Sequence, residues 1–283
     1  MKLGVVANFD KSLASEVLIK LKDLALKKGI YLYSTGQTSE FLKDCDSLDH
    51  SAFVKEIDVL MTLGGDGTLL KAVRSLDGED TPVIGVNLGK LGFMTSSTEE
   101  DLERTLECLA RGDYTVSQRT MIECSVGGGS EVWTALNDVV LSWGPSARIA
   151  NIQVSIDDVL VTTYTCDGLI VSTPTGSTGH SLSAGGPIIH PDTPGFVISV
   201  ICPHTMSTRP VVVPDKSRIK ITIAENSKDL MLAVDGRATL TLQQGQDLHI
   251  NKTRGGARFV QLPGYNYFLV LRNKLNWRGS NIM

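Results

Sequence analysis

The segment 63–68, LGGDGT, places the carboxylate of Asp66 among three glycines. Glycines can adopt positive φ and let the backbone approach a phosphate group without a Cβ in the way. An aspartate repels bound phosphate unless it holds Mg²⁺ or accepts a proton from an attacking hydroxyl. Taken alone, the segment favours a simpler interpretation, in which Asp66 caps the helix that follows. Other segments of the chain reverse that preference.

A second segment, 173–187, has the sequence TPTGSTGHSLSAGGP and follows an apolar run. Small, hydroxyl-bearing residues admit a ribose or a flat ring closely and offer hydrogen-bond donors and acceptors. The alternative is an ordinary Gly/Ser/Thr loop. The segment lacks GxSxG, which disfavours a hydrolase nucleophile.

Two adjacent polar residues, Asn137 and Asp138, stand at the start of another apolar run. Neighbouring strand residues point to opposite faces, so both reach one ligand only at a strand end or a bulge. An Asx turn is the simpler alternative. The common glycine-rich nucleotide-binding motifs are missing from the sequence. Residues 85–93 do not satisfy GxGxxG, and the chain has no GxxxxGK[ST]. Phe93 could stack on a base or pack into the core.

The elements that must position these residues differ between the two parts of the chain. Residues 1–118 alternate strand and helix patterns, which predicts a Rossmann-like α/β domain with a parallel sheet. In it, 53–63 is a predicted strand with its lead-in and 68–76 a helix, so Asp66 lies where such sheets bind ligands. Residues 119–269 show many short Val-, Ile- and Thr-rich runs, which predicts a β-sandwich-like domain. Residues 266–275 fit a strand or a short helix, and 270–283 could return to the first domain.

Composition excludes several classes of function. With 283 residues, 42% hydrophobic and 20% charged, the chain can bury proper cores. A net charge of -4 without a basic stripe argues against nucleic acid. The apolar runs are shorter than the ~20 residues of a membrane span. Five scattered cysteines without CxxC, five histidines without metal spacing and no signal-peptide pattern predict a cytoplasmic protein without a zinc site.

Taken together, these segments resemble the NAD kinase family. The marks that carry the resemblance are 64–68 (GGDGT), 85–89 (GVNLG), 91–93 (LGF), 137–138 (ND), 167–168 (DG), 173–187 and 203–210. They follow the family's order between about residues 57 and 236. The resemblance implies transfer of the γ-phosphoryl group of ATP to the 2′-hydroxyl of the adenosine ribose of NAD, which gives NADP. It also implies Mg²⁺ delivered with ATP, and a homodimer or homotetramer.

The resemblance assigns a role to individual residues. Asp66 matches the catalytic base, and the phosphate turn comprises Gly64, Gly65, Gly67 and Thr68. Asn137 and Asp138 would hold ribose hydroxyls, and Asp167, with Arg148 and Thr165, would serve the nicotinamide end. The nucleotide-binding set is completed by Lys71 near a phosphate, by Phe93, Thr178, Gly179, His180, Ser181, Leu182 and Ser183 around adenine and its neighbours, and by Thr175 and Arg237.

Four residues depart from the family pattern. Asp138 stands where the family usually has Glu, Gly179-His180 replaces Ala-Tyr, and Arg237 stands where Gln is frequent. These departures bear on substrate detail. Two other functions stay open at this point. A lipid kinase of the diacylglycerol or sphingosine type shares the GGDGT turn, and a regulator could sense NAD or NADP without turnover.

Overall fold

The computed structural model describes residues 1–43, 46–89, 92–127, 129–143, 149–224 and 229–277, with the backbone alone at 46 and 47. Its contacts divide the chain into two compact units. The first comprises Met1–Gln118 and Ala257–Met283, and the second comprises Arg119–Gly256.

The helices and strands have the following bounds. The helices are α1 (Ala14–Lys27), α2 (Gly36–Phe41), α3 (His50–Glu56), α4 (Asp66–Ser75), α5 (Leu102–Arg111), α6 (His180–Ser183, after a 3-10 turn at Gly176–Thr178) and α7 (Tyr267–Leu275). The strands are β1 (Lys2–Ala7), β2 (Tyr31–Ser34), β3 (Asp46–Ser47), β4 (Val59–Gly64), β5 (Val83–Asn87), β6 (Ser97–Thr98), β7 (Thr115–Val126), β8 (Val132–Ala135), β9 (Asp138–Ser142), β10 (Ala150–Ile156), β11 (Val159–Cys166), β12 (Gly168–Ser172), β13 (Gly195–Ile201), β14 (Val211–Pro214), β15 (Ile219–Ile223), β16 (Leu230–Val234), β17 (Arg237–Leu242) and β18 (Asp247–Gln261).

The first unit is built on a parallel sheet in the order β3-β2-β1-β4-β5. Strand β6 and the end of β18 also pair with β5 in parallel. Every residue of β4 and β5 is buried, as expected for strands covered on both faces. Helix α1 places Val17, Leu18 and Leu21 in the same core as these strands. This is the Rossmann-like α/β architecture that the alternating pattern predicts.

The second unit contains two antiparallel sheets. One follows the order β11-β10-β15-β18, with β7 and β8 attached, and the other follows β14-β13-β12-β9-β16-β17. Alternating apolar residues from both sheets share one core, including Val154 and Ile221 from the first and Val171 and Phe196 from the second. The predicted β-sandwich-like domain is therefore confirmed.

Three stretches differ from the sequence expectation or resolve it. The lead-in to β4 is helix α3, because the Asp49 carboxylate accepts the amide of Ala52 (2.9 Å) and caps a helical turn. Residues 266–275 contain a helix rather than a strand, and the Asn266 side chain caps it. Residues 257–269 belong to the first unit, not the second as expected, because Phe259 pairs with Val83.

Candidate functional site

Asp66 lies at the junction where β4 ends and α4 begins, and its carboxylate contacts a neighbouring loop. Its Oδ2 accepts the backbone amide of Phe93 (2.8 Å), and its Oδ1 accepts the amides of Met94 (3.1 Å) and Thr95 (3.3 Å). The residue that caps α4 is Gly65, and no side chain caps this helix. The cap interpretation of Asp66 is therefore wrong, and its partly exposed carboxylate is fixed by the loop instead.

The loop that holds Asp66 depends on Gly92. A Cβ added at Gly92 would lie 2.0 Å from Asp66 Oδ1, so no other residue fits here without displacing the carboxylate or the loop. The Thr95 hydroxyl accepts the Gly92 amide (2.8 Å) and a longer bond from Asn87 Nδ2 (3.4 Å). Sequence reasoning did not single out Gly92, Thr95 or Asn87 for this task. Their position in and beside the segments 85–89 and 91–93 was the available signal.

Of the glycines in the phosphate turn, Gly64 is required for close approach and none is required for unusual backbone geometry. None of Gly64, Gly65 and Gly67 has positive φ, so that expectation is wrong. A Cβ at Gly64 would lie 2.2 Å from the Thr68 hydroxyl, whereas one at Gly67 would meet nothing within 4 Å. Open space beside the first turn of a helix is where unpaired amides receive an anion. Lys71 is exposed and follows Gly67 by four residues, on the same helix face.

Phe93 is partly exposed rather than packed in the core. The ammonium group of Lys274, on α7, lies 5.8 Å from the centre of its ring. A cation at this distance is attracted by the face of an aromatic ring. The ring therefore combines an accessible surface with a nearby positive charge, which suits a phosphorylated aromatic ligand.

In the second unit, Asn137 and Asp138 are held by a residue that sequence reasoning missed. The Asp235 carboxylate accepts three successive amides, from Leu136 (3.0 Å), Asn137 (2.7 Å) and Asp138 (3.3 Å). Asn137 immediately precedes β9, so the two polar residues stand at a strand end as the prediction required. The signal for Asp235 was the Asp-Gly pair between two strand patterns, which is typical of a tight hairpin turn.

Asp138 is buried, with a relative exposure of 6%. Burial, and then the negative charge of Asp235, raise the pKa of Asp138 to about 7. A carboxyl with this pKa changes its protonation state near neutral pH. It can therefore act as hydrogen-bond donor or acceptor depending on conditions.

The segment 173–187 packs directly on Asn137. The hydroxyl of Thr173 donates to the Leu136 carbonyl (2.6 Å), and its amide donates to the Asn137 carbonyl (2.9 Å). A Cβ at Gly176 would lie 2.1 Å from that same Asn137 oxygen. This segment is therefore a built wall beside Asn137 and not a loose linker.

The remaining residues of this segment differ in accessibility. Gly179, His180 and Ser183 are exposed, and Thr175, Thr178 and Leu182 are partly exposed. Ser181 is fully buried, and its hydroxyl is 2.9 Å from that of Ser199. The Ser181 side chain thus supports the segment from within.

Two of the residues expected at the nicotinamide end, Asp167 and Thr165, lie in the second unit and both contact His204. Asp167 is partly exposed, with His204 Nε2 3.8 Å from its Oδ1. Its hydrogen bond with the Cys202 thiol raises the pKa of that thiol. The Thr165 hydroxyl donates to Asn151 Oδ1 (2.8 Å), and Arg237 is exposed at the start of β17. Arg148 lies outside the described residues.

Neither a dense metal cluster nor a membrane helix occurs in the part of the chain that the structure describes. No group of three or more His, Cys, Asp and Glu side chains there could hold a metal ion. Within the same ranges, no helix is long and apolar enough to cross a membrane. Mg²⁺ usually binds through one or two carboxylates together with substrate phosphates. Three amides already occupy the Asp66 carboxylate, so Mg²⁺ that arrives with ATP would be held chiefly by the nucleotide phosphates.

Comparisons with known proteins agree on one family. The model of the ATP-NAD kinase N-terminal domain matches residues 3–114, and that of the ATP-NAD kinase C-terminal domain matches residues 136–262. An NAD kinase from Syntrophotalea carbinolica is 39% identical over 254 residues, covering 88% of this chain and 89% of the relative. An NAD kinase from Clostridium botulinum is 35% identical over 282 residues, covering 98% and 96%.

Solved structures show the same architecture. The yeast NADH kinase complexed with NADH has a TM-score of 0.90 and 25% identity, covering 99% of this chain and 89% of that one. An NAD kinase from Archaeoglobus fulgidus in complex with ATP has a TM-score of 0.76 and 23% identity, covering 99% and 100%. The second likeness concerns the fold alone.

Proposed function

The chain belongs to the ATP-NAD kinase family, and we propose that Asp66 is the catalytic base of the family reaction in this protein. The chain is an NAD kinase, which phosphorylates NAD to NADP with ATP as the donor. The observation that carries the proposal is the geometry of Asp66, whose carboxylate is fixed by three amides at the junction of a buried strand and a helix.

The hydrogen bonds of Asp66 leave one position for a substrate hydroxyl. A carboxylate offers about four lone-pair sites, two on each oxygen. Among the described residues, Oδ1 accepts two amides and Oδ2 accepts one. The remaining site on Oδ2 can accept the proton of the ribose 2′-hydroxyl. The amides also prevent the side chain from rotating away, so that the base is oriented before the substrate arrives.

The proposed reaction transfers a phosphoryl group from ATP to the ribose and a proton from the ribose hydroxyl to Asp66. The 2′-oxygen of the adenosine ribose forms a bond to the γ-phosphorus of ATP, and the bond from that phosphorus to the β,γ-bridging oxygen breaks. The hydroxyl proton passes to Asp66, and ADP leaves. Mg²⁺, when bound with ATP, neutralises phosphate charge. The open helix start at Gly67 and the exposed Lys71 would receive the phosphates of the nucleotides.

The second unit is proposed to bind NAD. The Asn137 amide and the Asp138 carboxyl would bind ribose hydroxyls, supported by the wall at Gly176. The exposed residues Gly179 and His180 would contact adenine, and Phe93, which belongs to the first unit, is proposed to stack on a base. Asp167 and Thr165 would contact the nicotinamide end, and the exposed Arg237 is proposed only as a further nucleotide-binding residue. These assignments rest on the family pattern and, apart from the buried Asp138, on the accessibility of the residues.

The activity is tested with the purified full chain, NAD, ATP and Mg²⁺, and NADP is measured with an NADP-specific dehydrogenase. Diacylglycerol and sphingosine are offered as acceptors in parallel reactions. NADP formation is the expected result. Lipid phosphorylation without NADP would indicate a lipid kinase, and NAD binding without turnover would indicate a regulator.

The role of Asp66 is tested with Asp66→Asn. This variant should keep most NAD affinity and lose about 10²- to 10⁴-fold in kcat, which is the usual contribution of general base catalysis. Asp77→Asn is a matched control, because Asp77 is exposed just after α4 and its φ of 48° suits Asn. Wild-type turnover of Asp66→Asn would remove Asp66 from the base role.

We also propose a homodimer or homotetramer in the cytoplasm. The family resemblance supports the oligomer, and light scattering of the purified chain measures it. Fractionation of cells that express the tagged protein tests its location.

A further inference from the structure

Asp235 occupies a turn whose geometry does not by itself require a carboxylate. Strands β16 and β17 are joined by the two residues Asp235 and Gly236, since Val234 pairs with Arg237. Both turn residues have positive φ, 48° and 72°. This is the pattern of a type I′ hairpin turn, in which Asn, Asp and Gly are all acceptable at the first position. The hairpin therefore explains the small polar residue but not its charge.

The charged Asp235 side chain binds the backbone of Asn137 and Asp138, the proposed nucleotide-binding pair. Its carboxylate accepts the amides of Leu136, Asn137 and Asp138. Its own amide donates to the Asp138 carbonyl (2.9 Å). Hydrogen bonds to an ionised acceptor are about twice as strong as neutral ones. Four bonds thus fix three consecutive residues at the start of β9.

We propose that Asp235 is a positioning residue for NAD binding, which holds Asn137 and Asp138 in the conformation that their side chains need to bind the ribose. The inference rests on the proposed function, because that function assigns Asn137 and Asp138 to NAD. The arrangement repeats in the second unit what Asp66 shows in the first, a carboxylate that accepts three successive amides. The Asp66 carboxylate would itself contact the substrate, whereas the Asp235 carboxylate would position two other residues, Asn137 and Asp138, that do so.

The electrostatics of the pair supply a second observable. The negative charge of Asp235 adds to burial in raising the pKa of Asp138 to about 7. Burial, and to a smaller extent the charge of Asp235, raise the pKa of the Cys124 thiol to about 12. This thiol therefore stays neutral near neutral pH. Removing the charge of Asp235 should therefore lower the pKa of Asp138. A residue that only shaped the hairpin would leave the pH dependence of NAD binding unchanged.

The decisive variant is Asp235→Asn. Asn tolerates the positive φ of this turn, so the hairpin persists, but one acceptor oxygen is replaced by an amino group that faces backbone N–H donors. Loss of one charge-assisted bond predicts a rise of about 10- to 100-fold in KM for NAD, with a much smaller change in kcat. The acidic limb of the pH profile of this KM should move to lower pH.

The matched control is Asp157→Asn in the hairpin between β10 and β11. Asp157 also has positive φ (50°) in a two-residue turn, and its carboxylate accepts the amide of Arg218 (2.9 Å). Among the hydrogen bonds that the structure describes, none joins Asp157 to a proposed nucleotide-binding residue. Its variant should show the wild-type KM for NAD and the wild-type pH profile.

The outcomes separate this inference from the proposed function. A second variant, Asp235→Gly, also suits the turn and is measured beside Asp235→Asn. The measured quantity is KM, because it reports only on the folded enzyme even where part of a sample unfolds. A wild-type KM and pH profile in both variants would overturn the inference if Asn137→Ala still raises KM for NAD. No effect of Asn137→Ala would instead remove the ribose assignment. A wild-type chain that makes no NADP would remove the function itself.

Discussion

Gly92→Ala tests whether the loop amides place the catalytic carboxylate. The added Cβ would lie 2.0 Å from Asp66 Oδ1, 2.5 Å from its Cγ and 2.7 Å from its Oδ2. Ordinary contacts of a Cβ begin at 3.4 Å, so the carboxylate and the loop must separate by more than an ångström. The contacts involve the group itself and not the end of a flexible side chain. The strain therefore falls on the hydrogen bonds that orient Asp66.

The magnitude follows from the displacement. A misplacement of about 1 Å in a reacting group costs about 100-fold in rate. We therefore expect kcat to fall by about two orders of magnitude although the catalytic side chain is unchanged. Each charge-assisted bond that breaks also removes about 1.5–3 kcal/mol of stability. The thermal unfolding temperature should fall accordingly.

The assay is NADP formation at saturating NAD and ATP, with NAD affinity measured by calorimetry. Gly89→Ala is the control, because a Cβ there would lie 3.8 Å from Asn87 Oδ1, an ordinary contact in the same stretch of chain. This control should retain activity and stability. Wild-type kcat in Gly92→Ala would refute the reasoning, since the amides would then have no part in placing Asp66.

Two further predictions concern the second unit. Gly176→Ala puts a Cβ 2.1 Å from the Asn137 carbonyl oxygen, so steady-state kinetics should show a KM for NAD that is higher by about tenfold, for about 1.4 kcal/mol of lost binding. An unchanged KM would show that the packing of Gly176 on Asn137 has no part in NAD binding. Asp138 has a folded pKa of about 7 and an ordinary unfolded pKa near 3.9, so between these values the folded state binds a proton that the unfolded state lacks, and stability decreases as the pH rises. The thermal stability of Asp138→Asn relative to the wild type should therefore increase as the pH rises from about 4 to about 7, and parallel pH dependences of the two melting temperatures would contradict the raised pKa.

Local signals predicted the elements on which the site stands. The apolar run before Gly64 became β4, and the helical spacing after Asp66 became α4. The change of texture near residue 119 predicted the β-rich architecture of the second unit. Such patterns are local, because strand and helix periodicity depends on residues within a few positions of one another. The ordered family segments, read from the same local stretches, also predicted the family and the reaction.

Local signals were insufficient where a tertiary contact or a cap competed. Residues 53–56 have enough apolar character for a strand lead-in, but the Asp49 cap makes them helical. Residues 266–275 fit both periods, and the Asn266 cap accompanies the helix. Residues 257–269 have the texture of the second unit, yet Phe259 pairs with Val83 in the first. A pairing partner more than a hundred residues away leaves no periodic mark in either segment.

The sequence by itself determined the strand-glycine-helix junction at Asp66, the two architectures and the family, because each depends on short segments and their order. Only the tertiary structure decided what holds the two key carboxyl groups. The amides that fix Asp66 come from a loop that begins 27 residues later, and the backbone amide of Asp138 is held by Asp235, 97 residues away. Folding alone creates these contacts, and the burial and the nearby Asp235 charge that raise the pKa of Asp138 both arise from it. The residue types were visible in the chain, but their solvent exposure and their partners depend on packing between distant segments.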